Sequence, residues 1–183
     1  MNEKVFENFP ILKTERLILL KVTMEDAHLI FKGNSTETSL KYIPRELFTT
    51  MEEAEKKVEY YLNGFDEKSV LMFKFCLKET GEPVGYGGLF NITQPANKGE
   101  LGYIIFEEHW GKGFATEASE KIIELGMNEL QLNKIFALID PRNIGSQKVV
   151  EKLGFEKEGV LKQNDFSRGK YFDIIYYALF NKA

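Results

Sequence analysis

The chain has one cysteine, Cys76, which excludes an internal disulfide. Its only histidines are His28 and His109. With a single cysteine beside them they form none of the spacings that hold a metal, so no metal is expected. Basic residues are outnumbered by acidic ones, 24 to 28, for a net charge of −4. That balance argues against a nucleic-acid partner and suits a cationic, amine-bearing one. No apolar run approaches the ~20 residues of a membrane span, and an N-terminus carrying Glu3 and Glu7 is not a signal peptide. The expectation is a cytoplasmic protein with no membrane partner. Internal repeats, low-complexity tracts and linkers are missing too, so residues 1–183 read as one domain. Two phosphate-binding strings are also absent. No Gly-x-x-x-x-Gly-Lys-Ser/Thr occurs, and Gly111-Lys112-Gly113 continues as Phe114-Ala115-Thr116 where a dinucleotide fingerprint needs another glycine three residues on.

What is present centres on Glu100 to Thr116. Leu101 to Phe106 is an apolar run that reads as a buried strand. After Gly111-Lys112-Gly113, the recurrence of Ala115, Ala118, Ile122 and Leu125 predicts a helix, with Glu117, Glu120, Lys121 and Glu124 on its other side. The first N–H groups of a helix have no partners within it. Glycines let an anion approach them closely, so a strand, a glycine turn and a helix N-terminus make a phosphate site.

The remaining pattern alternates strands and helices. Leu17–Val22 reads as a strand, and 25–32 as a helix capped by Thr23 with Asp26 in its first turn. The stretch 34–50, interrupted by Pro44, is irregular, and 51–62 is a second helix. Val70–Leu77 and Val84–Asn91 read as a hairpin about the turn 79–83, and Cys76 sits mid-strand as a core residue. Gly85, Gly87 and Gly88 within the second strand suggest a bulge or close packing. A turn over 94–99 leads into the central strand. Lys134–Ile139 is a further strand, and Asn143 caps a helix that runs to Leu153 with Gly154 as its C-terminal glycine. Strands 155–161 and 171–180 close the chain, joined through Ser167-Arg168-Gly169-Lys170. The order implies an α/β domain with a partly antiparallel sheet.

These stretches, in this order, resemble the GNAT acetyltransferases. The turn Trp110-Gly111-Lys112-Gly113-Phe114-Ala115 resembles their pyrophosphate turn, with tryptophan where Gln or Arg usually stands. Thr14-Glu15-Arg16-Leu17-Ile18-Leu19, Asp140-Pro141-Arg142-Asn143, Glu151-Lys152-Leu153-Gly154-Phe155 and Gly169-Lys170-Tyr171-Phe172-Asp173 are similar to the ribosomal-protein N-terminal acetyltransferase branch. The resemblance covers nearly the whole chain. It implies a mixed, largely antiparallel central sheet whose central strands splay apart, with flanking helices. Acetyl-CoA, as cosubstrate, would lie in the gap. Its pantetheine would pair with Ile104, Ile105 and Phe106, and its pyrophosphate would sit on Trp110, Gly111, Lys112, Gly113, Phe114, Ala115 and Thr116. Asn143 and Ser146 would complete the cofactor contacts. The irregular stretch would border the acceptor, a protein N-terminus or a small amine, with Tyr42, Phe48 and Tyr61 either lining it or packed beneath it. Arg142, Lys148 and Lys152 either reach the 3′-phosphate side or are solvated charges, the more frequent role of such residues. A monomer or a homodimer fits this branch.

Acetyl transfer needs a neutral amine and, for the leaving thiolate, a proton. At pH 7, deprotonation costs about 1 kcal/mol for an α-amine and about 4.6 kcal/mol for a lysine amine. A weak base therefore suffices for α-amines. Glu100, at the start of the central strand, is either that base or a solvated charge. Ser146, in Asn143-x-x-Ser146, is either the acid or a helix-terminus hydroxyl. Many GNAT enzymes carry a tyrosine seven residues after that asparagine, but here the position is Val150, which cannot donate. The readings to separate are an N-acetyltransferase of α-amines, a polyamine acetyltransferase, and an acyl-CoA-binding module without turnover.

Overall fold

The computed structural model describes residues 1–181. Eight strands form one sheet: β1 (Leu12–Lys13), β2 (Leu17–Lys21), β3 (Leu71–Leu77), β4 (Pro83–Thr93), β5 (Lys98–Ile105), β6 (Lys134–Ile139), β7 (Glu156–Ser167) and β8 (Lys170–Phe180). Their spatial order is β1-β2-β3-β4-β5-β6-β8-β7. Every pairing is antiparallel except β5 with β6. Helices α1 (Ala27–Asn34) and α2 (Met51–Asp66) cover one face. Helices α3 (Phe114–Glu124), which continues as a π-helical turn over Leu125–Glu129, and α4 (Ile144–Lys152) cover the other.

Alternation in the strands divides the core between these faces. Leu17, Leu19, Phe73, Phe75 and Leu101 pack with Ala118, Ile122 and Leu125 under α3. Val22, Met72, Tyr86 and Ile104 pack with Ile30, Ala54 and Val58 under α1 and α2. The glycines of β4 are required by close approach. A Cβ on Gly88 would lie 1.8 Å from the Leu71 carbonyl oxygen, and one on Gly87 would lie 2.6 Å from Tyr103 Cβ. The ladder with β3 also shifts register at Phe75/Cys76, opposite Gly85.

The feature that makes a site is the short β5–β6 pairing. It joins Lys98, Gly99 and Glu100 to Lys134, Ile135 and Phe136, and then stops. Beyond Glu100 the strands splay, as the resemblance implied.

Several boundaries move from those read in the sequence. β5 begins at Lys98 rather than after Gly99, and α2 runs one turn further, to Asp66. The largest change is β7. The sequence ends this strand at Leu161 because Lys162-Gln163-Asn164-Asp165 is polar. The polar residues are nonetheless in strand: β7 is the outermost strand and mostly exposed, and its ladder with β8 shifts register between Leu161 and Asp165. An edge strand needs no apolar face on its solvent side.

Candidate active site

Gly113 sits before α3 with φ +82°, and Gly111 has φ +72°, both in the left-handed region that glycine tolerates. No side chain caps the helix, and Glu117 N–H is the first bonded inside the turn, to Gly113 O at 3.1 Å. The N–H groups of Phe114, Ala115 and Thr116 are therefore open to a ligand, beside a cavity of about 520 Å³. Trp110, Gly111, Gly113, Phe114, Ala115 and Thr116 border that cavity. Lys112 is exposed and is not among the lining residues; its carbonyl accepts Arg16 Nη1 at 2.9 Å. Arg16 braces the turn. Its guanidinium pairs with Glu117 at 2.7 Å and lies 4.6 Å from the centre of the Phe114 ring. Read in sequence, Arg16 belonged to an opening motif and had no assigned role. A phosphate fits this cradle: open helix N–H groups, the positive end of the helix dipole, and glycines that leave room.

Phe106 gives its N–H to Val84 O at 2.9 Å, and its ring is buried under α1 and α2. Its N–H and ring therefore face β4 and the two helices rather than the gap. By strand alternation, Tyr103 and Ile105 turn their backbone groups away from β4, toward the gap. Trp110 donates its indole N–H to Ile105 O at 2.7 Å, so the residue standing in the Gln/Arg position ties the turn to β5. Ile104 and Ile105 both border the cavity. Arg142 pairs with the buried Asp140, its Nε 2.9 Å from Oδ1, and its side chain is otherwise exposed. Lys148 and Lys152 are exposed on α4.

A second cavity, of about 280 Å³, opens between the irregular stretch and the sheet. Tyr42 and Tyr61 line it; Phe48 packs instead against the α1/α2 core. The two cavities meet. Tyr42, Ile43, Tyr103, Ile104, Asn143 and Ser146 belong to the walls of both. Asn143 caps α4, its Oδ1 accepting Ser146 N–H at 3.1 Å, and so fixes Ser146 at the junction. Glu100 lies in the second cavity at the last rung of the β5–β6 ladder. Burial pushes its carboxyl up, partly offset by a hydrogen bond from Asn91 Nδ2 at 2.8 Å, and the nearby Asp165 carboxylate adds to the rise.

Tyr103 is the residue that the sequence concealed. Its hydroxyl oxygen is buried, points toward Ser146, and has no well-aligned hydrogen bond. Burial pushes the phenol up, and the Ser146 hydroxyl beside it pulls it partly back. It supplies a phenol at the junction, where Val150 on α4 is 1% exposed and carries no donor. The signal available in sequence was one hydroxyl in an otherwise aliphatic run.

The irregular stretch is held from a distance. Glu46 accepts hydrogen bonds from Ser167 Oγ at 2.9 Å and Arg168 N–H at 2.7 Å. Arg168 Nη2 donates to Leu40 O at 2.8 Å and Ile43 O at 3.1 Å. The β7–β8 hairpin tip, read in sequence as a connector, thus clasps the wall of the second cavity. Among the described residues no helix is long and apolar enough to cross a membrane.

Residues 16–156 match a family model described as the acetyltransferase (GNAT) domain. An uncharacterized N-acetyltransferase, p20, of Bacillus licheniformis is 34% identical over 171 residues, 93% of this chain and 96% of its own length. The spermidine N(1)-acetyltransferase of Escherichia coli K12 is 26% identical over 156 residues, 85% of this chain and 81% of its own. The ribosomal-protein-S5-alanine acetyltransferase of Vibrio fischeri has the same fold, with a TM-score of 0.84 at 25% identity, covering 94% of this chain and 97% of its own.

Proposed function

The chain belongs to the GNAT acetyltransferase family, and from that membership we propose that residues 1–183 act as one domain that acetylates a primary α-amine by direct attack in a ternary complex. The observation that carries this reading is the meeting of the two cavities at Tyr103, Asn143 and Ser146. One cavity ends on a helix N-terminus suited to a pyrophosphate, and the other holds a carboxylate suited to an amine. Acetyl-CoA, when bound, supplies the acetyl thioester. The open N–H groups of Phe114, Ala115 and Thr116 hold its pyrophosphate, and the gap-facing backbone of Tyr103 and Ile105 orients its pantetheine. Glu100, raised by burial, takes the proton that the ammonium must lose. The freed amine nitrogen bonds to the acyl carbon, the carbon–sulfur bond breaks, and the nitrogen passes its second proton to water, which restores the Tyr103 phenol once it has donated. Tyr103, with Ser146 beside it, gives the sulfur its proton; the phenol, pushed up by burial, is protonated at neutral pH and ready to donate.

An α-amine asks least of a single carboxylate base, because roughly a tenth of it is already neutral near pH 7. The test offers three acceptors under matched conditions: peptides with free N-termini, N-blocked peptides carrying lysine, and spermidine. Thiol release should be fastest with the free N-termini and should rise with pH until the α-amine's pKa is passed. Transfer to spermidine with none to any free N-terminus would move the protein to the polyamine class, the activity named for its Escherichia coli relative. Acetyl-CoA binding without thiol release for any amine would leave only a binding module.

A further inference from the structure

The second cavity carries charges of both signs. Glu100 lines it, with the carboxylate of Asp165 nearby in the same wall. Arg45 lines it too. One of its guanidinium nitrogens, Nη1, donates to the neutral Asn34 Oδ1 at 2.6 Å. Among the described residues no carboxylate lies within ion-pairing distance of it. Behind it, on α2, Lys57 sits 5.2 Å from the centre of the Tyr61 ring, another wall of the cavity. Burial and the Arg45 charge together hold Lys57 down to about 8. A half-buried cation without a counter-ion is expensive to keep, and bound anions are what such a group recognises best.

We propose that the acceptor is an amine that also carries a carboxylate, its amine directed to Glu100 and Asp165 and its carboxylate to Arg45. The inference rests on the acetyltransferase reading and names the substrate class within it. About 280 Å³ accommodates an amino-acid-sized group rather than a folded surface. A polyamine would set a second ammonium against Arg45 and Lys57. The carboxylate has two possible sources, the α-carboxylate of a free amino acid or the acidic side chain of a peptide's first residue. The shared requirement is an anion a few bonds from the nucleophilic nitrogen.

The experiment compares kcat/KM for a free amino acid and for its carboxamide, and for two amidated peptides that begin with Glu or with Gln. A carboxylate raises the pKa of its neighbouring amine and so lowers the neutral fraction. Any preference for the acid therefore comes from the protein. The wild type should favour one member of a pair, free acid over amide or Glu over Gln, by about tenfold or more, and the pair showing it identifies the source. Arg45→Gln keeps a donor for Asn34 and removes the charge; it should bring that ratio toward one, while acetyl-CoA still shifts the melting temperature as in the wild type. Arg45→Lys should restore part of the ratio. Equal rates within both pairs for the wild type, or an undiminished ratio in Arg45→Gln, would overturn the inference and leave the acetyltransferase reading standing. Absence of transfer to every amine, with acetyl-CoA bound, would remove both.

Discussion

A buried phenol oxygen with no well-aligned partner costs about 1–3 kcal/mol, and Tyr103 keeps one at the junction of the two cavities. Tyr103→Phe should therefore melt higher than the wild type while kcat falls by on the order of 10²-fold, the usual range for a lost general acid. Acetyl-CoA affinity should be unchanged by calorimetry, because only the developing thiolate loses its donor. A variant that is both as active and as stable as the wild type would remove the role. Glu100 makes a parallel case with a pH signature. Its carboxyl holds a proton more tightly folded than unfolded, so the folded protein binds more protons between the ordinary carboxylate pKa and the raised one. Stability is present in acid and lost as pH rises through that window. Glu100→Gln should thus be more stable than the wild type at pH 7 and no different well below the ordinary carboxylate range. It should also lose activity, more at neutral than at high pH. A lower melting temperature at pH 7 would contradict the burial argument.

The turn before α3 makes its own prediction. Gly113 and Gly169 both have positive φ, +82° and +70°, and a Cβ at Gly169 would meet nothing within 4 Å. Gly113→Ala and Gly169→Ala should each cost about 1–2 kcal/mol of backbone strain by denaturant melts. Only Gly113→Ala should also weaken acetyl-CoA binding, since its methyl group would stand 3.4 Å from Arg16 Nη2, the brace of the phosphate cradle. Equal CoA affinities in the two variants would mean that the pyrophosphate lies elsewhere. At this scale the sequence was informative wherever period and punctuation coincide. The glycine turn with its helix, the Asn143 cap and the close-packed glycines of β4 all follow from local rules. It was silent where a role is set by a distant neighbour. Lys162–Asp165 reads as loop because an edge strand lacks the apolar face that marks a buried one. Arg16 reads only as part of an opening motif and Arg168 only as part of a connector, because their partners lie elsewhere in the chain. Arg142 reads as a free cation until Asp140 is seen to hold it. Tyr103 is hidden by its aliphatic neighbours, which announce a strand and say nothing of where its open edge lies.

For the molecule as a whole, the sheet is two ladders joined by three parallel rungs at Lys98–Glu100. Past Glu100 the gap-facing amides of β5 have no strand opposite them. The amides of Tyr103 and Ile105 should exchange with solvent faster than those of Ile104 and Phe106, which face β4, and acetyl-CoA should selectively slow the first pair. Uniform protection across 103–106 without ligand would deny the open edge. A further link between the halves is the hairpin tip that grips the irregular stretch: Glu46 and Arg168 are 122 positions apart in sequence. With the acceptor in the second cavity, as proposed, substrate choice is inherited from two places at once. A lineage that drifts in the 34–50 stretch alone loosens the wall of its own pocket unless the distant tip drifts with it. Grafting that stretch from a relative would carry over the side chains but not the clasp that sets their posture.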